Sequence, residues 1–221
     1  MGPGLRRDDV SRILIGLLGL IVASLLGADP AQAHPHVWIT AKSEVVYAPD
    51  GSISGVRHAW TFDDMFSTYA LQGIETKTKG VYSREQLAPL AQTNVENLKE
   101  FGFFTFAKAD GKKQKFSEPV DYYLEYKDDA LTLHFMLPAK APFKARQTAL
   151  EVFDPAFFID FKFDEKEPIK LVGAPADCKL QFQRPNDGTA NAQRLNENNF
   201  MSGDNSNYGA MYANKILVEC P

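Results

Sequence analysis

The run His36-Val37-Trp38-Ile39-Thr40-Ala41-Lys42-Ser43-Glu44-Val45-Val46-Tyr47, taken together with residues 49–62, decides the fold. It is rich in β-branched and aromatic residues. Pro49-Asp50-Gly51 is a turn signal, and residues 53–62 (Ile-Ser-Gly-Val-Arg-His-Ala-Trp-Thr-Phe) repeat the strand-like pattern. Two such runs about a short turn predict a β-hairpin. Alternation puts Val56, His58, Trp60 and Phe62 on one mostly apolar face.

Downstream of the hairpin the period changes. Residues 63–74 fit a short helix with Asp63 or Asp64 as N-cap. Residues 83–101 fit a longer one. Ser83 and Gln86 form a capping-box pair, Leu87, Leu90, Val95 and Leu98 supply an apolar stripe, and Pro89 is an early irregularity. Between them, residues 75–86 have the outline of an EF-hand loop, with Gly80 at the sixth place. Calcium wants carboxylates or amides at places one, three and five and a bidentate Glu at twelve. Glu75, Lys77, Lys79 and Gln86 stand there instead. Two ammonium groups would repel the cation, so the shape is expected without calcium. An ordinary helix–turn–helix is the blander reading.

From Phe103 the chain reads as strands: 103–107, 115–120 with 121–127, 131–137, 148–153, 157–163, 169–172 and 178–183. Residues 138–142 read as a connection. Short strands with regular turns predict a mainly β protein, a β-sandwich carrying a helical insertion at 63–101. Residues 184–209 hold seven asparagines and few large apolar residues, which predicts a polar loop. It reads as a tolerated surface loop or a partner contact. Residues 210–221 then supply a last strand ending at Cys220.

Upstream of the hairpin, Arg6, Arg7 and Arg12 precede a nearly unbroken apolar run, Ile13 to Ala28, and Ala31-Gln32-Ala33 has the small-x-small form of a signal-peptidase site. Residues 1–33 therefore read as a signal peptide and the finished protein as periplasmic. The run is short for a membrane span, which needs about 20 residues. An uncleaved anchor is the alternative. Asp8-Asp9 argue against twin-arginine export. Cleavage leaves 188 residues and an unchanged charge of −4, because three Arg and three Asp depart together. Residues 34–183 form the expected domain. A mildly acidic chain has no electrostatic footprint for nucleic acid. Cys178 and Cys220, the only cysteines, most simply form one disulfide in an exported protein. Chain entropy gives that closure roughly 4 kcal/mol. Two metal-ligand thiols are the alternative.

The same cut exposes His34-Pro35-His36. A free amine and two imidazoles within three residues make a small chelator for Ni(II), Co(II), Zn(II) or Cu(II). Pro35 has no N–H, so the square-planar mode through deprotonated amides is blocked. Two exposed histidines at a frayed end are the blander reading. The other histidines, His58 and His134, are less certain completers of a metal set. His58 beside Trp60 more often signals a satisfied core group. Asp63, Asp64 and Asp154 are candidate carboxylate ligands, each with an easy alternative as a cap or turn residue. No serine elbow, CxxC pair, HExxH or phosphate loop appears, so no catalytic residue or organic cofactor is expected and the chain makes no case for an enzyme.

His34-Pro35-His36-Val37-Trp38-Ile39, Trp60-Thr61-Phe62-Asp63, the loop before Leu87, residues 100–105 (Glu-Phe-Gly-Phe-Phe-Thr) and Val152-Phe153-Asp154-Pro155 together resemble a known set of exported proteins. These are domain-of-unknown-function family 1007, described as the periplasmic component of an uncharacterised ABC-type transport system. The resemblance covers residues 34 to about 185. Members are often encoded beside nickel/cobalt permeases. The resemblance therefore implies a transition-metal binding or accessory role, with an inner-membrane metal permease or ABC transporter as partner. Some members keep an acidic EF-like loop, from which Lys77 and Lys79 depart. A non-metal protein-interaction module, docking on a transporter or envelope protein, is the alternative expectation.

Overall fold

The computed structural model describes residues 35–78, 80–185 and 208–221. Backbone contacts divide the chain into Met1–Ala33 and His34–Pro221. The first unit lies outside the described residues, and with it the expected leader. So do His34, Lys79 and residues 186–207 of the expected polar loop.

Elements follow in the order β1 (Val37–Tyr47), β2 (Ile53–Phe62), α1 (Asp64–Ala70), α2 (Arg84–Leu98), a 3-10 helix (Lys99–Phe104), β3 (Thr105–Ala109), β4 (Lys112–Gln114), β5 (Val120–Lys127) and β6 (Ala130–Phe143). Then come β7 (Gln147–Val152), β8 (Ile159–Phe163), β9 (Ile169–Val172), β10 (Lys179–Gln183), a second 3-10 turn (Tyr208–Tyr212) and β11 (Asn214–Glu219). The strands build two sheets. Sheet A has the order β5-β6-β2-β1-β8, with β9 also pairing with β1, and sheet B the order β10-β11-β7-β3-β4. The chain is thus mainly β and sandwich-like, with its helices inserted after the second strand, as expected.

The inner faces meet in one apolar core. Along β1, Val37, Ile39, Ala41, Ser43, Val45 and Tyr47 are buried while their neighbours are exposed or half-buried. That alternation is what makes the hairpin legible in the sequence. Trp60 sits at the centre, edge-on to Phe135 and Phe161 with ring centroids 4.8 Å away in each case. Each such side chain, fully buried, contributes roughly 1.5–3 kcal/mol.

The helices start where the caps predict. Asp63 accepts from the Phe66 amide at 2.8 Å. Ser83 and Gln86 make the reciprocal capping box. Leu87, Ala91 and Val95 are the buried stripe of α2, and Ser67 of α1 accepts from the Leu131 amide of β6 at 2.9 Å. Both helices end earlier than expected. Gly73 (φ 82°) follows α1, and Gly102, Phe103 and Phe104 take φ of 60°, 56° and 48° after α2. For the two phenylalanines a left-handed backbone costs roughly 1–2 kcal/mol each. Both rings are buried, which offsets it. This bend also moves the start of β3 from 103 to 105.

Strand β6 runs through Pro138, where the sequence predicts a connection. Pro138 lies opposite Gly55 on β2, at a shift in register. A Cβ on Gly55 would stand 2.9 Å from the Pro138 Cα and 2.5 Å from the Leu137 carbonyl oxygen. Only glycine admits that approach, and it lets the proline remain inside the sheet.

The pairing of β1 with β8 has no signature in the sequence. It is parallel, with Val37 opposite Ile159 and Trp38 opposite Asp160. Farther along, β1 pairs in the same sense with β9, with Ser43 opposite Ile169. Finally, Cys178 and Cys220 are joined by a disulfide. It ties the start of β10 to the end of β11, where Lys179 already pairs with Glu219.

Candidate functional site

His36 stands one residue before β1. Its amide donates to the Phe158 carbonyl at 2.8 Å, and its ring lies against Phe158 with centroids 4.8 Å apart. Period two puts His36, Trp38 and Thr40 on the outer face of sheet A. Trp38 is 44 % exposed there and Phe158 45 %.

The turn into β8 is fixed by Asp154. This carboxylate, 5 % exposed, accepts from the amides of Ala156 at 2.9 Å and of Phe158 and Ile159 at 3.0 Å each. The Gly209 amide donates to the Pro155 carbonyl at 2.8 Å. Asp154 is therefore fully engaged as a structural group. Asp63 is engaged as well, accepting from the Trp38 amide at 2.9 Å and capping α1. Asp64 accepts from the Met65 amide on the exposed start of α1.

The carboxylate beside Trp38 on its other flank is Asp160 of β8. It alternates with the buried Phe161 and so shares the outer face with Lys162. Burial pushes its carboxyl pKa up from the ordinary range, with Lys162 opposing. Nothing in the sequence marks this residue. Asp160 reads as one polar residue of an alternating strand until β8 is known to lie beside β1.

His58 is 1 % exposed and faces the core. Its Nδ1 lies 2.8 Å from Ser43 Oγ of β1, and its Nε2 3.3 Å from Thr105 Oγ1 of β3. The Thr105 hydroxyl donates to the Phe103 carbonyl, so its oxygen accepts from Nε2–H. Nδ1 then accepts from the Ser43 hydroxyl. Both ring nitrogens are used. The imidazole is neutral, and burial drops its pKa to about 3. It pins sheet A to sheet B.

His134 belongs to the opposite, outer face. It pairs across the strands with Ala59 and with Tyr123. The Tyr123 ring stacks on it at 4.5 Å, and the Arg84 guanidinium sits 3.7 Å from the Tyr123 centroid. Glu125 Oε2 approaches His134 Nε2 to 3.4 Å. Burial lowers the His134 pKa and Arg84 reinforces this, while Glu125 opposes. The stack docks the start of α2 on sheet A.

These positions separate the expected ligands. His58 lies opposite Ser43, seven residues along β1 from His36, roughly 23 Å at the rise of a strand. His134 lies level with Lys42, through Ala59, roughly 20 Å along. The two also point to opposite faces. Neither His58 nor His134 completes a site with His36, and that expectation is corrected on geometry. Among the described residues no group of three or more His, Cys, Asp or Glu is poised for a metal ion. The cysteines are bonded to each other, so the thiol-ligand alternative falls as well.

The EF-like loop keeps its turn, with Gly80 at φ 77°. Its interior is used by the chain itself. Gln86 Nε2 donates to the Glu75 carbonyl at 2.8 Å. The Thr76 hydroxyl donates to the Val81 carbonyl, the place-seven oxygen that a calcium loop offers to its ion. A shallow groove of about 420 Å³ lies between the helices, lined by Phe66, Tyr69, Ala70, Leu90, Gln72 and the Asn94/Asn97 amides.

Comparison with known proteins gives a family and a relative and adds no activity. An uncharacterised 15.5 kDa protein from the trpE 3′ region of Spirochaeta aurantia is 26 % identical over 93 residues. The match spans 42 % of this chain and 66 % of that protein, just under two thirds of its length. A family model described as "Protein of unknown function (DUF1007)" matches residues 19–220, which is nearly the whole chain, and the chain belongs to that family.

Proposed function

We propose that the protein is exported, loses residues 1–33, and binds a divalent transition metal in the periplasm as an accessory to an inner-membrane metal permease or ABC transporter. The observation that supports this most is the placement of His36. The chain leaves His34-Pro35 and enters β1 directly, so one imidazole of the chelating terminus is tethered to the folded body through the His36 amide. The donors fit the ion class. Imidazole and amine nitrogens suit nickel, cobalt, zinc and copper, and Pro35 removes the amide mode that would favour a flexible square-planar peptide site. The role is binding and delivery, not catalysis.

The test is calorimetric titration of protein beginning at His34 with Ni(II), Co(II), Zn(II) and Cu(II). Binding well below millimolar, lost in a His34→Ala/His36→Ala variant and weakened by one residue added before His34, is the expected result. Equal binding by the double variant would refute it.

A second reading has its own observation. Met65 and Tyr69 of α1 are 68 % and 70 % exposed beside the groove between the helices. That surface supports a protein-docking module whose contacts do not involve the histidines. Loss of transporter association on Tyr69→Ala, with association kept in the histidine variant, would favour it.

A further inference from the structure

We infer that a row of four lysines, Lys108, Lys113, Lys115 and Lys140, docks the protein on an anionic lipid surface. The histidines take no part, so the metal site and this surface stand or fall separately.

The row is built by strand pairing. Lys108 of β3 lies directly opposite Lys113 of β4. Lys115 lies opposite Lys140 of β6, because Phe116 bridges to Ala139 in antiparallel register and the Lys140 amide donates to the Lys115 carbonyl at 2.8 Å. All four are exposed and point outward. Lys108 stands between the buried Ala107 and Ala109, and Lys140 follows the buried Ala139. Lys113 and Lys115 alternate with the half-buried Gln114 and Phe116. Opposite residues of a sheet have Cβ atoms about 5 Å apart and alternate residues of a strand lie about 7 Å apart, so the row spans roughly 17 Å from sheet B to sheet A.

Like charges placed directly opposite destabilise a sheet, and this corner holds two such pairs in a chain whose net charge is −4. Elsewhere Lys42, Lys99, Lys144, Lys162 and Lys170 each meet a carboxylate. None of the four in the row forms an ion pair among the described residues. The carboxylates of this corner are committed or offset. Asp110 accepts the Arg146 and Gln147 amides, Glu118 pairs with Lys99, and Glu151 lies opposite Phe106, one diagonal step from Lys108. Lysines do guard the open edges of sheets against pairing with another chain. That accounts for Lys113 on the edge strand β4. It does not account for Lys108 on β3 or Lys140 on β6, which are interior strands.

The chemistry of the row selects the partner. Lysine is a compact, hydrated point charge without the flat fork that grips one phosphate or carboxylate in two places. No aromatic ring stands in the row for a base to stack on, as single-stranded nucleic acid would need. Point charges on flexible stems along one line suit a surface of diffuse negative charge, which a bilayer of anionic lipids presents. Each lysine near such a surface strengthens binding about fivefold.

Protein beginning at His34, the second compact unit of the chain, is sedimented with vesicles of phosphatidylcholine and phosphatidylglycerol in equal parts, and with vesicles of phosphatidylcholine alone. Binding is expected only to the mixed vesicles, and it should fall steeply as salt is raised. Lys108→Gln/Lys113→Gln/Lys115→Gln/Lys140→Gln should weaken it at least about a hundredfold. The same variant should resist denaturant as well as the wild type or better, because the opposed charges are gone. The milder Lys108→Gln/Lys140→Gln variant should lose about twentyfold. Lys42→Gln/Lys162→Gln/Lys170→Gln removes three paired charges elsewhere and should bind within about threefold of the wild type. No binding to the mixed vesicles, equal binding to both kinds, equal binding by the row variants, or an equal loss in the control variant overturns the inference. So does tighter binding to duplex DNA than to the mixed vesicles, which would make the partner a nucleic acid.

Discussion

His58 lies on β2 and His36 one residue before the start of the neighbouring β1, and their surroundings could hardly differ more. His58 faces inward, neutral, with one nitrogen to each sheet. His36 faces outward at the sheet's corner, against an aromatic ring, with the Asp160 carboxylate one strand away. The residue type is the same. What separates them is which face of the sheet each occupies, and whether hydroxyls or an exposed aromatic ring stand across from it. A histidine whose two nitrogens are both committed inside a core serves the fold. One placed at the exposed rim, against an aromatic ring, carries less of the fold.

The contrast is broken most forcefully by removing His58. His58→Ala leaves a cavity between the sheets and strips the Ser43 hydroxyl of its partner. A loss of about 4 kcal/mol is expected from denaturant unfolding. Metal affinity per folded molecule should not change, and a parallel loss of binding would contradict this division of roles. The next largest effect falls on the corner itself. Asp154→Ala removes the acceptor of three amides and leaves them in a half-buried turn. It should cost about 3 kcal/mol in denaturant unfolding, because the turn leads the chain into β8 beside β1.

A pH series sharpens the same contrast. The His58 pKa is about 3 in the fold against 6.5 for the ordinary group. The unfolded chain takes up a proton as pH falls below about 6.5, and the folded chain does not. Stability is full above that value and should decline by roughly 1.4 kcal/mol per pH unit down to about pH 3. His58→Gln should flatten this part of the profile. The smallest effect is expected at the rim. His36→Ala should shift stability by no more than about 0.5 kcal/mol, with its consequence confined to metal titration.

The sequence is informative wherever the physics is local. Period-two alternation marks the β1–β2 hairpin, Ser83 and Gln86 mark the start of α2 to the residue, and Asp63 or Asp64 marks that of α1 to within one. Two cysteines in a chain with an export-like leader point to the bridge that is present. What the sequence conceals depends on distant partners. Gly55 makes room for Pro138 only because β2 lies beside β6, so residues 138–142 look like a connection. The left-handed bend at Gly102–Phe104 is held by burial of two phenylalanines, which no local propensity records. Above all, β1 and β8 are more than a hundred residues apart in the chain and pair in parallel. Asp160 is therefore inconspicuous in sequence, while the more conspicuous Asp63 and Asp154 are occupied with backbone amides.

The Cys178–Cys220 bridge has a consequence for how the protein responds to a protease. It closes a covalent ring around every residue from 178 to 220. A single cut within that ring creates new ends without releasing a fragment. The piece that carries β11 stays bonded to the body and stays paired between β10 and β7. Such a nicked molecule would gain only the mass of one water and would come apart on a gel only after reduction.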